Sequence, residues 1–180
     1  MRGGRAGAYL ARAMRRPVAL GWTLAFVALA GFAGTDLLRE LGSGVPERDG
    51  RVVHVVDGDT IAVRLGGREE TVRYIGVDTP ETKRPGAPVQ CFGPAAGAFN
   101  ARLVEGERVR VEPGEEQRDR YGRLLGYVYR ERDGLFVNEA LVRGGYARAR
   151  AYAPNDRYAA RFDALTDAAR EGGRGLWGRC

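Results

Sequence analysis

A chain of 180 residues that is 44% hydrophobic can build one domain with a real core and still carry a tail. Its 29 Lys and Arg against 23 Asp and Glu leave a formal charge of +6, which suits a polyanionic partner (nucleic acid or an anionic membrane face), although a solvated basic surface has the same balance. Two cysteines without C-x-x-C spacing give structural zinc no ligand set, and the single histidine, His54, sits in the apolar run Val52-Val53-His54-Val55-Val56 and reads as a strand residue rather than a catalytic one.

In chain order, residues 1–16 form a basic tail with Arg2, Arg5, Arg12, Arg15 and Arg16 and no acid. Pro17 to Gly34 then runs without a charge. Arginines ahead of an apolar run keep that end in the cytoplasm. The run lies between the usual length of a signal-peptide core and that of a spanning helix. Continued through Leu38, with Asp36 interrupting, it gives a transmembrane anchor over 17–38. An uncleaved anchor is expected in preference to a cleaved signal, since Gly31 and Ala33 do not make a clean cleavage site. A buried core helix is a third reading, against which the arginine cluster argues. Either export reading places the remainder outside the cytoplasm, where disulfides persist.

Residues 39–50, rich in Gly, Pro and charge, read as a linker, and 51–180 as the working domain. Val52 to Val56 is a β-branched run, and Ile61, Val63 and Leu65 alternate with polar or small residues. Gly66-Gly67 signals a hairpin, and Thr71 to Val77 is the next strand. Val109 and Val111 alternate with charge, and Leu124 to Tyr129 is a further strand. Helices are expected over Pro94 to Glu105, Val137 to Arg143 and Asp156 to Glu171. Pro94 suits a first helical position, Asp156 a cap, and Gly172-Gly173 a stop. About five short strands and three helices make an α+β domain with a small barrel.

Acids gather at two turns. Asp57-Gly58-Asp59-Thr60 joins two strands, and Asp78-Thr79-Pro80-Glu81 follows the third. Carboxylates on neighbouring strand ends can hold a hard divalent cation, although each turn alone is an ordinary turn former. Arg73 lies in the strand that delivers Asp78, and Arg123 follows Asp119-Arg120-Tyr121-Gly122. A guanidinium fork suits phosphate oxygens; the plain alternative is that both arginines pair with acids at the rim.

Val56-Asp57-Gly58-Asp59-Thr60, Val72 through Glu81, Asp119 through Arg123 and Val137 through Val142, in that order, resemble the thermonuclease (micrococcal nuclease-like) family over roughly residues 51–178. The resemblance implies a five-stranded OB-fold barrel with three helices, here preceded by the hydrophobic helix. It implies calcium-dependent cleavage of DNA and RNA to 3′-phosphate ends. Asp59 and Asp78 match the calcium carboxylates, and Thr79 a ligand through its carbonyl. Glu81 matches the residue that positions or deprotonates the attacking water. Arg73 and Arg123 match the arginines on the scissile phosphate. Tyr121, with Arg120 beside it, matches contacts to a terminal phosphate, and Asp57 an acid with an indirect role. The chain departs from the pattern over Arg148 to Asn155, where only Tyr152 stands for the family's two pocket tyrosines.

Lys83 and Arg84 in the adjacent loop either steer phosphate or are solvated charge. Cys91 and Cys180 are expected to form a disulfide that pins the C-terminus, with two free thiols as the alternative; such a loop would contribute on the order of 4–5 kcal/mol in the chain-entropy model. A non-catalytic nucleic-acid-binding barrel is the main competing function. It gives no reason to keep Asp59, Asp78, Glu81, Arg73 and Arg123 together, because acids repel a phosphate backbone unless a cation intervenes. A membrane-associated scaffold leaves the acidic turns unexplained. No protein partner is implied, and a monomer is expected.

Overall fold

Alternation of buried and exposed side chains gives the chain its strands. In the computed structural model, which describes residues 47–83, 86 and 88–180, β1 (Arg48–Asp57) turns at Gly58-Asp59 into β2 (Thr60–Leu65). The Gly66-Gly67 turn leads into β3 (Arg68–Tyr74). β5 (Arg108–Arg118) and β6 (Leu124–Arg130) follow later in the chain. The order β3-β2-β1-β5-β6 is antiparallel throughout, and a parallel pairing of Val72–Tyr74 with Leu124–Gly126 closes it into a five-stranded barrel. Closure leaves no long free sheet edge. Val52, Ile61, Val63, Val72, Val109 and Leu124 fill the interior.

The run expected to continue from Thr71 to Val77 is broken. It stops at Tyr74 and resumes as β4 (Gly76–Asp78), which leaves the barrel and pairs with β8 (Arg148–Arg150). Gly76 makes the break, with φ of 77° and the Phe162 ring 2.8 Å from where a Cβ would stand. Only glycine fits both constraints. β7 (Leu135–Phe136) adds a two-residue edge to β6.

The helices are α1 (Gly93–Val104), α2 (Val137–Arg143), α3 (Ala159–Glu171) and the short α4 (Leu176–Arg179). Pro94 occupies the first turn of α1 as expected. Asp156 does not cap α3: Tyr158 stands at the cap, and the Asp156 carbonyl accepts the Ala159 N–H in a preceding turn. Tyr158, Phe162, Leu165 and Ala169 still face inward as one stripe. Residues Gly44–Cys180 form one compact unit. The tail and apolar run of 1–38 lie outside the described residues, among which no helix is long and apolar enough to cross a membrane.

Two features tie the shell to the barrel. Cys91 and Cys180 are joined by a disulfide, with Cα atoms 6.0 Å apart. Asn138, fully buried on α2, accepts from Val128 N–H at 2.9 Å and donates to the carbonyls of Ile75 at 2.9 Å and Gly126 at 3.3 Å. Asn138→Ala strips a partner from three backbone groups and should cost about 2–4 kcal/mol, read as a lower midpoint in denaturant unfolding.

Candidate active site

The broken strand has a consequence at one end of the barrel. β4 carries Asp78 and Thr79 towards the turn between β1 and β2, where Asp59 is only 4% exposed. Asp59 Oδ2 accepts from Thr79 N–H at 2.7 Å and from Thr79 Oγ1 at 2.9 Å. The two acidic turns are thereby locked together. Tyr74 N–H donates to the Asp59 carbonyl at 2.9 Å, and Asp59 N–H to Asp57 Oδ1 at 3.1 Å, which fixes the turn from both sides.

Arg73, partly buried on β3, lies across these acids. Its Nη1 is 2.9 Å from Asp59 Oδ2 and 3.0 Å from the Val77 carbonyl, and its Nη2 is 3.2 Å from Asp78 Oδ1. Burial pushes the Asp59 carboxyl up to about 6, against the lowering effect of Arg73 and the Thr79 hydrogen bonds and with a further push from Asp57. The charge of this carboxylate is thus under-compensated even with Arg73 beside it.

A second wall comes from the turn between β5 and β6. Asp119 organises it by accepting from the amides of Tyr121 at 2.9 Å and Arg123 at 3.0 Å and from Arg123 Nε at 2.7 Å. Burial raises the Asp119 carboxyl, but these hydrogen bonds outweigh it and hold it below the usual carboxylate range. Arg120 and Arg123 both lie over the Tyr121 ring, at 4.8 and 5.5 Å from its centroid. Tyr121 is 68% exposed, and Tyr152, across the cleft on the loop after β8, is 62% exposed. Exposed aromatic rings flanked by guanidinium groups make stacking platforms for bases.

These walls enclose a cleft of about 930 Å³. All nine residues read from the sequence as candidates line it: Asp59, Arg73, Asp78, Thr79, Glu81, Arg120, Tyr121, Arg123 and Tyr152. Lys83 lines it too, whereas His54 is an exposed residue of β1 away from it. Both Arg73 and Arg123 pair with acids, as the plain alternative held, Arg73 with Asp59 and Asp78 and Arg123 with Asp119, and all of these line the cleft. Glu81 Oε1 accepts from the amides of Thr82 at 2.9 Å and Lys83 at 2.7 Å, so its carboxylate follows the local backbone.

Arg150 was not among the sequence candidates. Its Nη1 is 3.1 Å from Asp78 Oδ2, its Nε donates to the Tyr152 hydroxyl, and it lines the cleft. It reaches the cleft because β8 pairs with β4, which sets Arg150 opposite Gly76 and Arg148 opposite Asp78. Asn155, at the end of the departing segment, has a structural part. It bridges the loop to β5, accepting from Glu116 N–H at 3.1 Å and donating to the Glu116 carbonyl at 2.8 Å.

The family model described as staphylococcal nuclease homologue matches residues 71–179. The chain is 39% identical over 135 residues to a thermonuclease of Staphylococcus hyicus, covering 75% of this chain and 79% of that protein. It is 43% identical over 128 residues to a thermonuclease of Staphylococcus intermedius, covering 71% and 75%. It is 42% identical over 126 residues to endonuclease YncB of Bacillus subtilis (strain 168), covering 69% and 59%.

Proposed function

The chain belongs to the family of staphylococcal nuclease homologues, and on that premise we propose that it is a calcium-dependent nuclease, hydrolysing phosphodiesters of DNA and RNA to leave 3′-phosphate ends. The observation that carries this reading is the gathering of Asp59, Asp78 and Glu81 with Arg73 and Arg123 around one cleft. Acids in a nucleic-acid groove repel the backbone unless a cation stands between them.

The residues present fit a hard cation. The donors are all oxygens, from Asp59, Asp78 and Thr79, with no imidazole or thiolate lining the cleft. Among the described residues no three His, Cys, Asp or Glu side chains converge as a closed cage. Two carboxylates and one Thr79 oxygen therefore suit a weak site completed by water and phosphate. Weak calcium sites, about 10⁻⁴–10⁻³ M, fill outside the cytosol. This agrees with our proposal that residues 17–38 anchor the protein, or direct its export, with the domain of 51–180 beyond the cytoplasm.

A cation held by Asp59, Asp78 and Thr79 would polarise a phosphoryl oxygen and orient water. Arg73, from β3, and Arg123, from the turn between β5 and β6, would offer guanidinium forks to the scissile phosphate. Both oppose the negative charge that builds on the equatorial oxygens. Glu81 positions the attacking water and assists removal of its proton. Arg120 and Tyr121 hold a terminal phosphate, and Tyr152 stacks on a base.

Two outcomes test this reading. The products of cleavage should resist extension by a polymerase until a 3′-phosphatase has acted; products extended at once would remove the 3′-phosphate assignment. Proton and cation compete for Asp59, whose folded carboxyl is raised from 3.8 to about 6. The folded metal-free protein therefore holds the proton more tightly than the unfolded chain, and its stability contribution from this group falls as pH rises through that window. Calcium binding removes the penalty, so its stabilisation should grow with pH. At a concentration a hundredfold above Kd it should reach about 2–3 kcal/mol above pH 7 and be much smaller at pH 5. Thermal unfolding with and without calcium at both pH values checks this.

A further inference from the structure

The Cys91–Cys180 disulfide and Gln90 have no part in the chemistry above. Glu81 leaves the site at the head of a loop that returns to it at Gln90. Glu81 N–H donates to Gln90 Oε1 at 2.9 Å, and Gln90 N–H donates to the Glu81 carbonyl at 2.9 Å. This reciprocal pair closes the loop at its neck. The Gln90 carbonyl then accepts Gly93 N–H at 3.0 Å at the start of α1. A Cβ on Gly93 would lie 2.5 Å from Thr82 Cγ2 and 3.0 Å from the Pro80 carbonyl, so the helix start rests directly on Pro80–Thr82.

The next residue, Cys91, is bonded to Cys180. Cys180 N–H donates to the Leu176 carbonyl at 3.0 Å in α4, and Leu176 N–H donates to the Gly145 carbonyl at 2.9 Å behind α2. Leu176 itself is buried. Between Cys91 and α1 stands Phe92, with φ of 68°, the one non-glycine residue of positive φ among those described. Its ring stacks on Tyr146 at 5.3 Å, and Tyr146 stacks on Phe99 at 3.9 Å. A strained residue persists where its surroundings over-determine it, and here they do so just past Cys91, next to the neck of the Glu81 loop.

We propose that Gln90 is a positioning residue for Glu81, and that the Cys91–Cys180 disulfide completes a strap that sets the catalytic carboxylate. The role of Glu81 itself rests on the nuclease reading above. The strap acts through the backbone. The Glu81 carboxylate is fixed by the amides of Thr82 and Lys83, so wherever Gln90 holds the 81–83 segment, the carboxylate goes with it. The disulfide therefore acts on the chemical step as well as on stability. Reduction of an exported enzyme that strays into a reducing environment would slow it before it unfolds.

The test uses the full chain as wild type, Gln90→Ala, Gln90→Glu and Cys91→Ser/Cys180→Ser, with kcat and KM measured on single-stranded DNA and amide exchange followed at residues 81–83. Misplacing a water-positioning group lowers kcat in Gln90→Ala by about tenfold or more, with KM changing less than about twofold. Gln90→Glu, which keeps an acceptor for Glu81 N–H, retains activity. Exchange at 81–83 quickens in Gln90→Ala and in the serine pair, while the barrel strands keep their protection. Wild-type kcat in Gln90→Ala would overturn the proposal, as would unchanged exchange at 81–83 or faster exchange everywhere. An oxidised wild type that cleaves nothing would remove the nuclease reading, and exchange at 81–83 would still decide the strap.

Discussion

Asp59→Ala should lower metal-dependent kcat/KM by more than about 100-fold, since even residues that only support a metal ligand typically cost 10–100-fold in affinity or activity. Two losses combine in this variant. The cleft loses one of the two carboxylates proposed to hold the cation. It also loses the acceptor of both Thr79 hydrogen bonds, which hold the β4 end against the turn between β1 and β2. The cost in stability should be small above pH 6. There the wild-type carboxylate is charged while desolvated, a state that burial disfavours. Asp59→Asn separates the two losses, because the amide oxygen can still accept from Thr79. Its activity should be as low as that of the alanine variant if charge is what counts, and circular dichroism should show the barrel intact in both.

Arg73→Lys should lower kcat by about 10²–10³-fold, the size seen when one preorganised donor to a developing charge is removed. The Arg73 guanidinium reaches Asp59, Asp78 and the carbonyls of Tyr74 and Val77 at once. A lysine ammonium is a single point of charge and cannot span these partners and then present two parallel donors to a phosphate. Single-turnover cleavage with saturating substrate reads the chemical step alone. Full activity in Arg73→Lys would remove the bidentate argument.

The barrel was legible where local pattern and local pairing coincide. β2 and β3 meet across Gly66-Gly67, and that turn together with the alternation of Ile61, Val63 and Leu65 marks the hairpin. Each acidic turn alone is an ordinary turn former; together they were legible because Asp59, Asp78 and Glu81 come with Arg73 and Arg123, a set that a turn does not need. The break at Gly76 was not, since it depends on the Phe162 ring arriving from α3. β8 was hidden for a similar reason: it is three residues long and pairs with a distant three-residue strand. Arg150 reaches the site only through that pairing, so no local signal placed it beside Asp78. Asp156 had the chemistry of a cap, but the turn before Ala159 put Tyr158 in that place. Gln90 had no signal at all, because its two bonds to Glu81 exist only once the loop has closed.

Degradation of single-stranded DNA by the purified full chain, with calcium and with a chelator, tests the central claim most directly. The account predicts cleavage that requires calcium, stops in the chelator and is lost in Glu81→Ala. Tight binding of the oligonucleotide without cleavage under any divalent metal would contradict it and leave a nucleic-acid-binding barrel in its place.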